Sequence, residues 1–219
     1  MLGGWWRPRP ARSSREKTVG KRETAKRPRE ASLRRLDPVG RLRRAGRRYY
    51  IKRMAGAGLI PFSLPRFNDM TGCYPLGGYD MKGKRVVDVG CDWGMSPIFW
   101  RSLGASKVIG YEVNEEYVFR MGPLRKEAWF EFRGGWDREY PDGDVFKIDC
   151  EGCEAGLDLQ KLKGYSLWFV AIHRLPHLGQ KVDTLDMGRS LAELGGEIVH
   201  TQTVSNTQAV ETVYRGGKG

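Results

Sequence analysis

Residues 197–215, "EIVHTQTVSNTQAVETVYR", decide the architecture of this chain. Two runs rich in Val, Thr and Tyr, "EIVHTQTV" (197–204) and "QAVETVYR" (208–215), flank Ser205-Asn206-Thr207. Such runs read as strands, and so short a link leaves no room for a crossover, so the pair must lie antiparallel. The strands before it have another character. "KRVVDVG" (84–90), "KVIGYEV" (107–113), "DVFKID" (144–149) and "LWFVAIH" (167–173) are apolar on both faces, as strands inside a parallel sheet are. "AWFEFR" (128–133) is a weaker strand.

Helical stretches alternate with these strands. Ser96-Pro97 offers an N-cap and a proline at the first helical position, for a helix that ends at Gly104. "NEEYVFRM" (114–121) opens a second helix, which Gly122-Pro123 interrupts. A third is expected over 153–163, with Ala155, Leu159 and Leu162 on one face. A fourth covers 181–194, with Met187, Leu191 and Leu194 at helical spacing. The expected fold is α/β: a Rossmann-like, mostly parallel sheet of the seven-stranded type, ending in an antiparallel hairpin. The region between the third and fourth strands is too short for a full helix.

The net charge of +12 suggests a nucleic-acid binder until it is divided along the chain. Residues 1–53 hold 19 Lys/Arg against 4 Asp/Glu, and residues 54–219 hold 19 against 22. The basicity therefore lies in the first segment, whose Pro, Arg and Ser content cannot bury enough surface to offset its conformational entropy. Residues 1–53 are expected to be a basic, disordered tail, 54–83 a lead-in segment and 84–219 the folded domain. Three explanations of the tail stand open: an electrostatic arm for nucleic acid or another anionic surface, a targeting segment, or an over-extended gene start. Evenly spaced Glu16, Glu23, Glu30 and Asp37 fit a transit peptide poorly. No apolar run approaches the roughly 18 residues of a membrane span, so the cytoplasm is the expected compartment. Four cysteines in a chain of this size are expected to be reduced.

The loop in "VVDVGCDWGMSPIFW" (86–100) lies at the carboxyl end of the first strand, where open α/β sheets bind ligands. A pyrophosphate-binding G-x-G-x-x-G starting at Gly90 needs glycine at 92 and 95, where the chain has Asp92 and Met95. The loop resembles instead motif I of the class I S-adenosylmethionine-dependent methyltransferases, with Asp88, Gly90 and Gly94 matching and Asp92 in place of the middle glycine. That cofactor carries a sulfonium and an amino group and no phosphate, so nearby carboxylates favour it. The resemblance implies that Asp88 supports the loop and the methionine end, and that Gly90 and Gly94 allow close backbone approach. Asp92 belongs to the same cofactor loop. Glu112, closing the second strand, would accept hydrogen bonds from both ribose hydroxyls.

"DVFKIDCEGCEAGL" (144–157) crowds three carboxylates and two thiols beyond an apolar run. It resembles the hydrophobic-K-I-D-x-E-G-x-E signature of FkbM-type methyltransferases, which mostly methylate hydroxyl oxygens, often on sugars or secondary metabolites. The likeness covers roughly residues 80–175. It departs at Ile172, where family members commonly carry a glutamate before the histidine corresponding to His173. The resemblance implies three site residues: Asp149 at the strand tip facing the acceptor, Glu151 capping the turn or holding substrate, and His173. Asp149 or His173 would be the base that removes a hydroxyl proton. Glu154 would lie in a first helical turn, favouring its dipole, and His177 is a loop residue. A lone C-x-x-C is a weak redox signal, and Cys91 would complete a three-thiolate metal site only if it lay close by. No resident metal is expected.

The function these residues imply is S-adenosylmethionine-dependent O-methylation of a small-molecule or glycan hydroxyl. One alternative is a nucleic-acid methyltransferase that uses residues 1–53 for phosphate contacts. "DCEG" is not the D/N-P-P-Y tetrapeptide of base-amine methylation, so ribose methylation is the form left open. Another is a non-catalytic methyltransferase-fold binding module. Tyr74, Pro75 and Tyr79 belong either to a substrate lid or to packing across the sheet edge.

Overall fold

The computed structural model describes residues 70, 72–174, 184–204 and 209–218. The expectations for residues 1–53, for His177 and for the 205–207 turn lie outside the described residues. Seven strands form one sheet: β1 Arg85–Val89, β2 Lys107–Tyr111, β3 Phe130–Phe132, β4 Val145–Ile148, β5 Leu167–Arg174, β6 Glu197–Val204 and β7 Ala209–Gly216. Their order across the sheet is β3-β2-β1-β4-β5-β7-β6. The first five run parallel, and β7 inserts antiparallel between β5 and β6. The hairpin therefore closes the sheet as its sequence predicts.

Alternate side chains of the central strands feed two cores. Val86, Val108 and Phe169 pack on one face with Ile98, Phe99 and Trp100 of helix α1 (Met95–Ser102). Val87, Ile109, Phe146 and Val170 pack on the other face with Leu191 of helix α4 (Thr184–Glu193). Strand β4 is buried throughout, Lys147 included, and that one buried ammonium is the first sign of a polar site inside the sheet.

Two helix starts differ from expectation. Helix α1 begins two residues earlier, at Met95, with Gly94 as its cap in the left-handed region (φ 96°) and no side-chain cap. The turn decides this: the Gly94 N–H donates to the Cys91 carbonyl, and Ser96 is carried inward and buried. Helix α2 (Glu115–Arg120) starts where expected, with the Asn114 side chain accepting from the Glu116 and Tyr117 N–H groups. The single helix expected over 153–163 is two pieces, a 3-10 turn Cys153–Gly156 and the one-turn helix α3 (Leu159–Leu162). Leu157 turns extended, and Asp158 caps α3 by accepting from the Gln160 N–H at 3.0 Å.

Residues 133–144 join β3 to β4 without a helix. The face that a helix would cover is covered by aromatic rings. Tyr140 stacks on Phe146 with centroids 5.6 Å apart, and Trp136 and Tyr165 flank the same ring. Among the described residues, no helix is long and apolar enough to cross a membrane.

Candidate active site

The first loop is fixed from three directions. Gly90 and Cys91 both donate backbone N–H groups to the Tyr111 carbonyl, tying the end of β1 to the end of β2. Gly90 has φ 72°, and a Cβ there would stand 1.8 Å from the Asp149 carbonyl oxygen, so only glycine fits. From β4, Lys147 Nζ donates to the Gly90 carbonyl at 2.6 Å and pairs with Asp88 at 3.1 Å. Asp88 is fully buried, accepts from Trp100 Nε1, and lines neither cavity described below. It supports the loop from behind, through Lys147. Gly94 faces Leu124 and Met121, so its missing side chain serves packing.

Glu112 lies just past β2. Its Oε1 accepts from the Val113 and Asn114 N–H groups and its Oε2 from the Asp92 N–H, all at 2.9–3.0 Å. A carboxylate has about four acceptor positions, so one remains. Bonds to both ribose hydroxyls would require one of these backbone bonds to yield.

Asp149 is the hub of the site. Tyr74 donates its phenolic hydroxyl to Oδ2, and His173 Nε2 lies 3.3 Å from Oδ1. His173 Nδ1 lies 3.5 Å from Glu154 Oε1 on its other side. Glu154 is fully buried, and it also accepts from the Gly152 N–H at 2.6 Å and the His173 N–H at 3.2 Å. Because 153–163 is not one helix, Glu154 serves as a buried counter-ion and not as a partner of a helix dipole.

The charges follow from this geometry. Burial works to raise the Asp149 carboxyl, but Lys147, His173 and Tyr74 outweigh it and hold it well below the ordinary carboxylate range. Burial works to lower His173, but Asp149 and Glu154 outweigh it and push it up to about 10. Burial, then Asp149, raises the Tyr74 hydroxyl well above its ordinary value, so it stays a neutral donor. At neutral pH the site reads Asp149 anion, His173 cation, Glu154 anion.

Two cavities open on this hub. One, of about 550 Å³, lies over the carboxyl ends of β1, β2 and β4, with Glu112, Glu151, Trp136 and the Cys150–Cys153 pair on its walls. The other, of about 330 Å³, is walled by Tyr74, Ser96, Lys147 and Glu211. Gly90, Asp92 and Asp149 belong to both. Of the residues predicted from sequence, Gly90, Asp92, Glu112, Asp149 and Glu151 line cavity walls, whereas Asp88, Gly94 and His173 stand behind them. Lys147, Trp136 and Glu211 were missed as site residues, whereas Tyr74, left open between a substrate lid and packing, lines the smaller cavity and packs against Phe169. Lys147 carried a legible signal, a lone lysine inside a doubly apolar strand.

The cysteines correct an expectation. Cys150 and Cys153 form a disulfide, with Cα atoms 5.6 Å apart. Glu151 and Gly152, both at positive φ, fold the chain back tightly enough to bring the two together. Cys91 is buried elsewhere, its sulfur 3.7 Å from that of Met121, so the three do not converge. Among the described residues, no group of three or more His, Cys, Asp or Glu is placed to hold a metal ion.

Strand order, closing hairpin and loop position define the class I methyltransferase fold. The chain belongs to the same family as uncharacterized protein 65 of Sulfolobus islandicus filamentous virus. The two are 37% identical over 108 residues, which is 46% of this chain and 67% of that protein. Uncharacterized protein 158B of Sulfolobus islandicus rod-shaped virus 1 is also 37% identical, over 100 residues, 43% of this chain and 63% of that one. Neither name carries an activity. No protein-family profile matches the chain.

Several solved structures are similar in fold. An S-adenosylmethionine-dependent methyltransferase from Mesorhizobium loti is 12% identical, covering 69% of this chain and 96% of that one, with TM-score 0.47. Aeropyrum pernix fibrillarin, with natively bound S-adenosyl-L-methionine, is 13% identical over 62% and 68%, with TM-score 0.45. A protein of the NADB-Rossmann superfamily from Streptococcus agalactiae is 19% identical over 73% and 71%, with TM-score 0.47. Likenesses at this level say nothing of substrate.

Proposed function

We propose that the chain is an S-adenosylmethionine-dependent methyltransferase of the FkbM kind, acting on a hydroxyl oxygen of a sugar or other small molecule. The observation that carries the proposal is the meeting of two cavities at one carboxylate, Asp149, on the ligand-binding edge of this sheet. The larger cleft is lined by four carboxylates, Asp92, Glu112, Asp149 and Glu151, and among the described residues by no basic side chain. A pyrophosphate would meet only like charge there, whereas a sulfonium and an ammonium are favoured. About 550 Å³ suits a nucleoside-sized ligand.

Glu112 would take a ribose hydroxyl on its remaining acceptor position. Gly90 admits close backbone approach, and Trp136 with Val113 supplies an apolar wall. Bound there, S-adenosylmethionine would supply an electrophilic methyl group.

The chain's own contribution is to aim and deprotonate the acceptor. Asp149 accepts the hydrogen bond of the acceptor hydroxyl and takes its proton as the oxygen gives up electron density. A carboxylate held this far down is a weak base, so transfer comes late, when the hydroxyl has become strongly acidic. His173, already protonated, does not take that proton at neutral pH. It keeps Asp149 ionised and oriented, with Tyr74 on the other oxygen.

The test is calorimetric titration of S-adenosylmethionine and S-adenosylhomocysteine into the full chain. Micromolar affinity, about −8 kcal/mol, is expected, weakened at least ~10-fold by Glu112→Ala. Absence of binding at millimolar ligand by folded protein overturns the proposal.

A further inference from the structure

We infer that the 330 Å³ pocket is an electronegative acceptor site that admits a neutral or cationic, hydroxyl-rich molecule and rejects a phosphorylated one. The inference rests on the methyl-transfer reading above and specifies its second substrate. The pocket shares Gly90, Asp92 and Asp149 with the cofactor cleft, so a molecule in it touches the same carboxylate as one in the cleft.

Its charge is one-sided. Asp92, Asp149 and Glu211 line it, and among the described lining residues the only cation is Lys147. That ammonium is 2% exposed and already committed to Asp88 and to the Val89 and Gly90 carbonyls. Glu211 reaches the site through the closing hairpin. It sits opposite His173 on β5 and opposite Gln202 on β6, whose side-chain amide donates to Glu211 Oε2 at 2.5 Å.

A second polar group supports a donor-rich ligand. Ser96 lines the pocket and is buried, and although close enough to Asp88 to favour its ionised form, its hydroxyl completes no hydrogen bond of good geometry. Three carboxylates and a hydroxyl offer acceptors to a polyol or an amino sugar. A hydroxyl flanked by phosphates, as on a sugar phosphate or a nucleic acid, would bring its charge against those carboxylates.

Cys73 makes the pocket testable without knowing the acceptor. It lines the same wall, Cys91 is fully buried, and the other two cysteines are bridged. The full chain is treated with a cationic (trimethylammonium-ethyl) and an anionic (sulfonatoethyl) methanethiosulfonate, and the modified site is located by mass. The cation-to-anion rate ratio is normalised to a small thiol. A ratio of ~10 or more is expected, falling at least threefold in Glu211→Lys and less in Glu211→Gln. Glucosamine is expected to slow the reaction more than glucose 6-phosphate does.

A normalised ratio near one, a ratio unchanged by Glu211→Lys, or equal protection by the two sugars overturns the inference. Glu211 does not line the cofactor cleft, so S-adenosylmethionine affinity stays unchanged in both variants. A chain that passes the charge test yet binds no S-adenosylmethionine overturns the methyltransferase reading instead, and the acceptor role with it.

Discussion

The two cavities on either side of Asp149 are built differently. The larger takes its walls from turns that directly follow β1, β2 and β4, together with Trp136 in the link from β3 to β4. Each of those turns is continuous with a strand whose pattern announces it, and "VDVG" and "KIDCEG" belong to such turns. The smaller gathers Cys73 and Tyr74 from the lead-in segment, Ser96 from α1, and Gln202 and Glu211 from the hairpin. Nothing local marks those residues as partners. The side proposed for a cofactor is written in short motifs, whereas the side proposed for an acceptor is written only in the assembled sheet.

Asp149 stands on both sides, so removing its charge gives the largest effect. Asp149→Asn is expected to lower methyl transfer about 10²–10⁴-fold in single-turnover assays. Retention of full rate would move the base elsewhere and dissolve the distinction between the two sides.

His173 gives a smaller effect with a defined pH window. Its folded pKa is raised from 6.5 to about 10, so its stabilising contribution is complete below its unfolded value. That contribution is lost as pH rises from about 6.5 towards about 10. The melting temperature of His173→Gln should fall less than that of the parent across that range. Parallel profiles would mean that His173 does not carry the proton.

The smallest effect is expected from the disulfide. Its loop is so short that reduction should cost at most about 2 kcal/mol of stability. Cys150 and Cys153 line only the larger cleft. Reduction should therefore alter S-adenosylmethionine affinity while leaving the charge preference at Cys73 unchanged. A change at Cys73 of equal size would mean that the two cavities are not independent.

The same division explains what the sequence made legible. Strand order follows from doubly apolar runs and a hairpin link too short to cross over, and both are local facts. Helix α1 was misplaced by two residues because Ser96 is a good cap by chemistry, while Gly94 tolerates the left-handed turn geometry. The break at Leu157 was missed because Ala155, Leu159 and Leu162 keep helical spacing across it, and capping by Asp158 outweighs periodicity. The disulfide depends on backbone angles at Glu151 and Gly152 that no spacing rule reports. Tyr74 and Glu211 lie 75 and 62 residues from Asp149 and share a cavity with it only in the assembled fold.

Asp88 and Lys147 are direct partners across β1 and β4. The surrounding strand segments, "VVDV" and "VFKI", are otherwise almost uniformly apolar, and hydrophobicity alone sets the register of such segments weakly. A slip of β4 by one residue would turn Lys147 to the face opposite Asp88 and leave both buried without a counter-ion. This ion pair is therefore a registration key for the sheet as well as a support for the loop. The same two side chains that hold the Gly90 turn against β4 make the misaligned sheets inaccessible, so choosing the fold and shaping the site are one event.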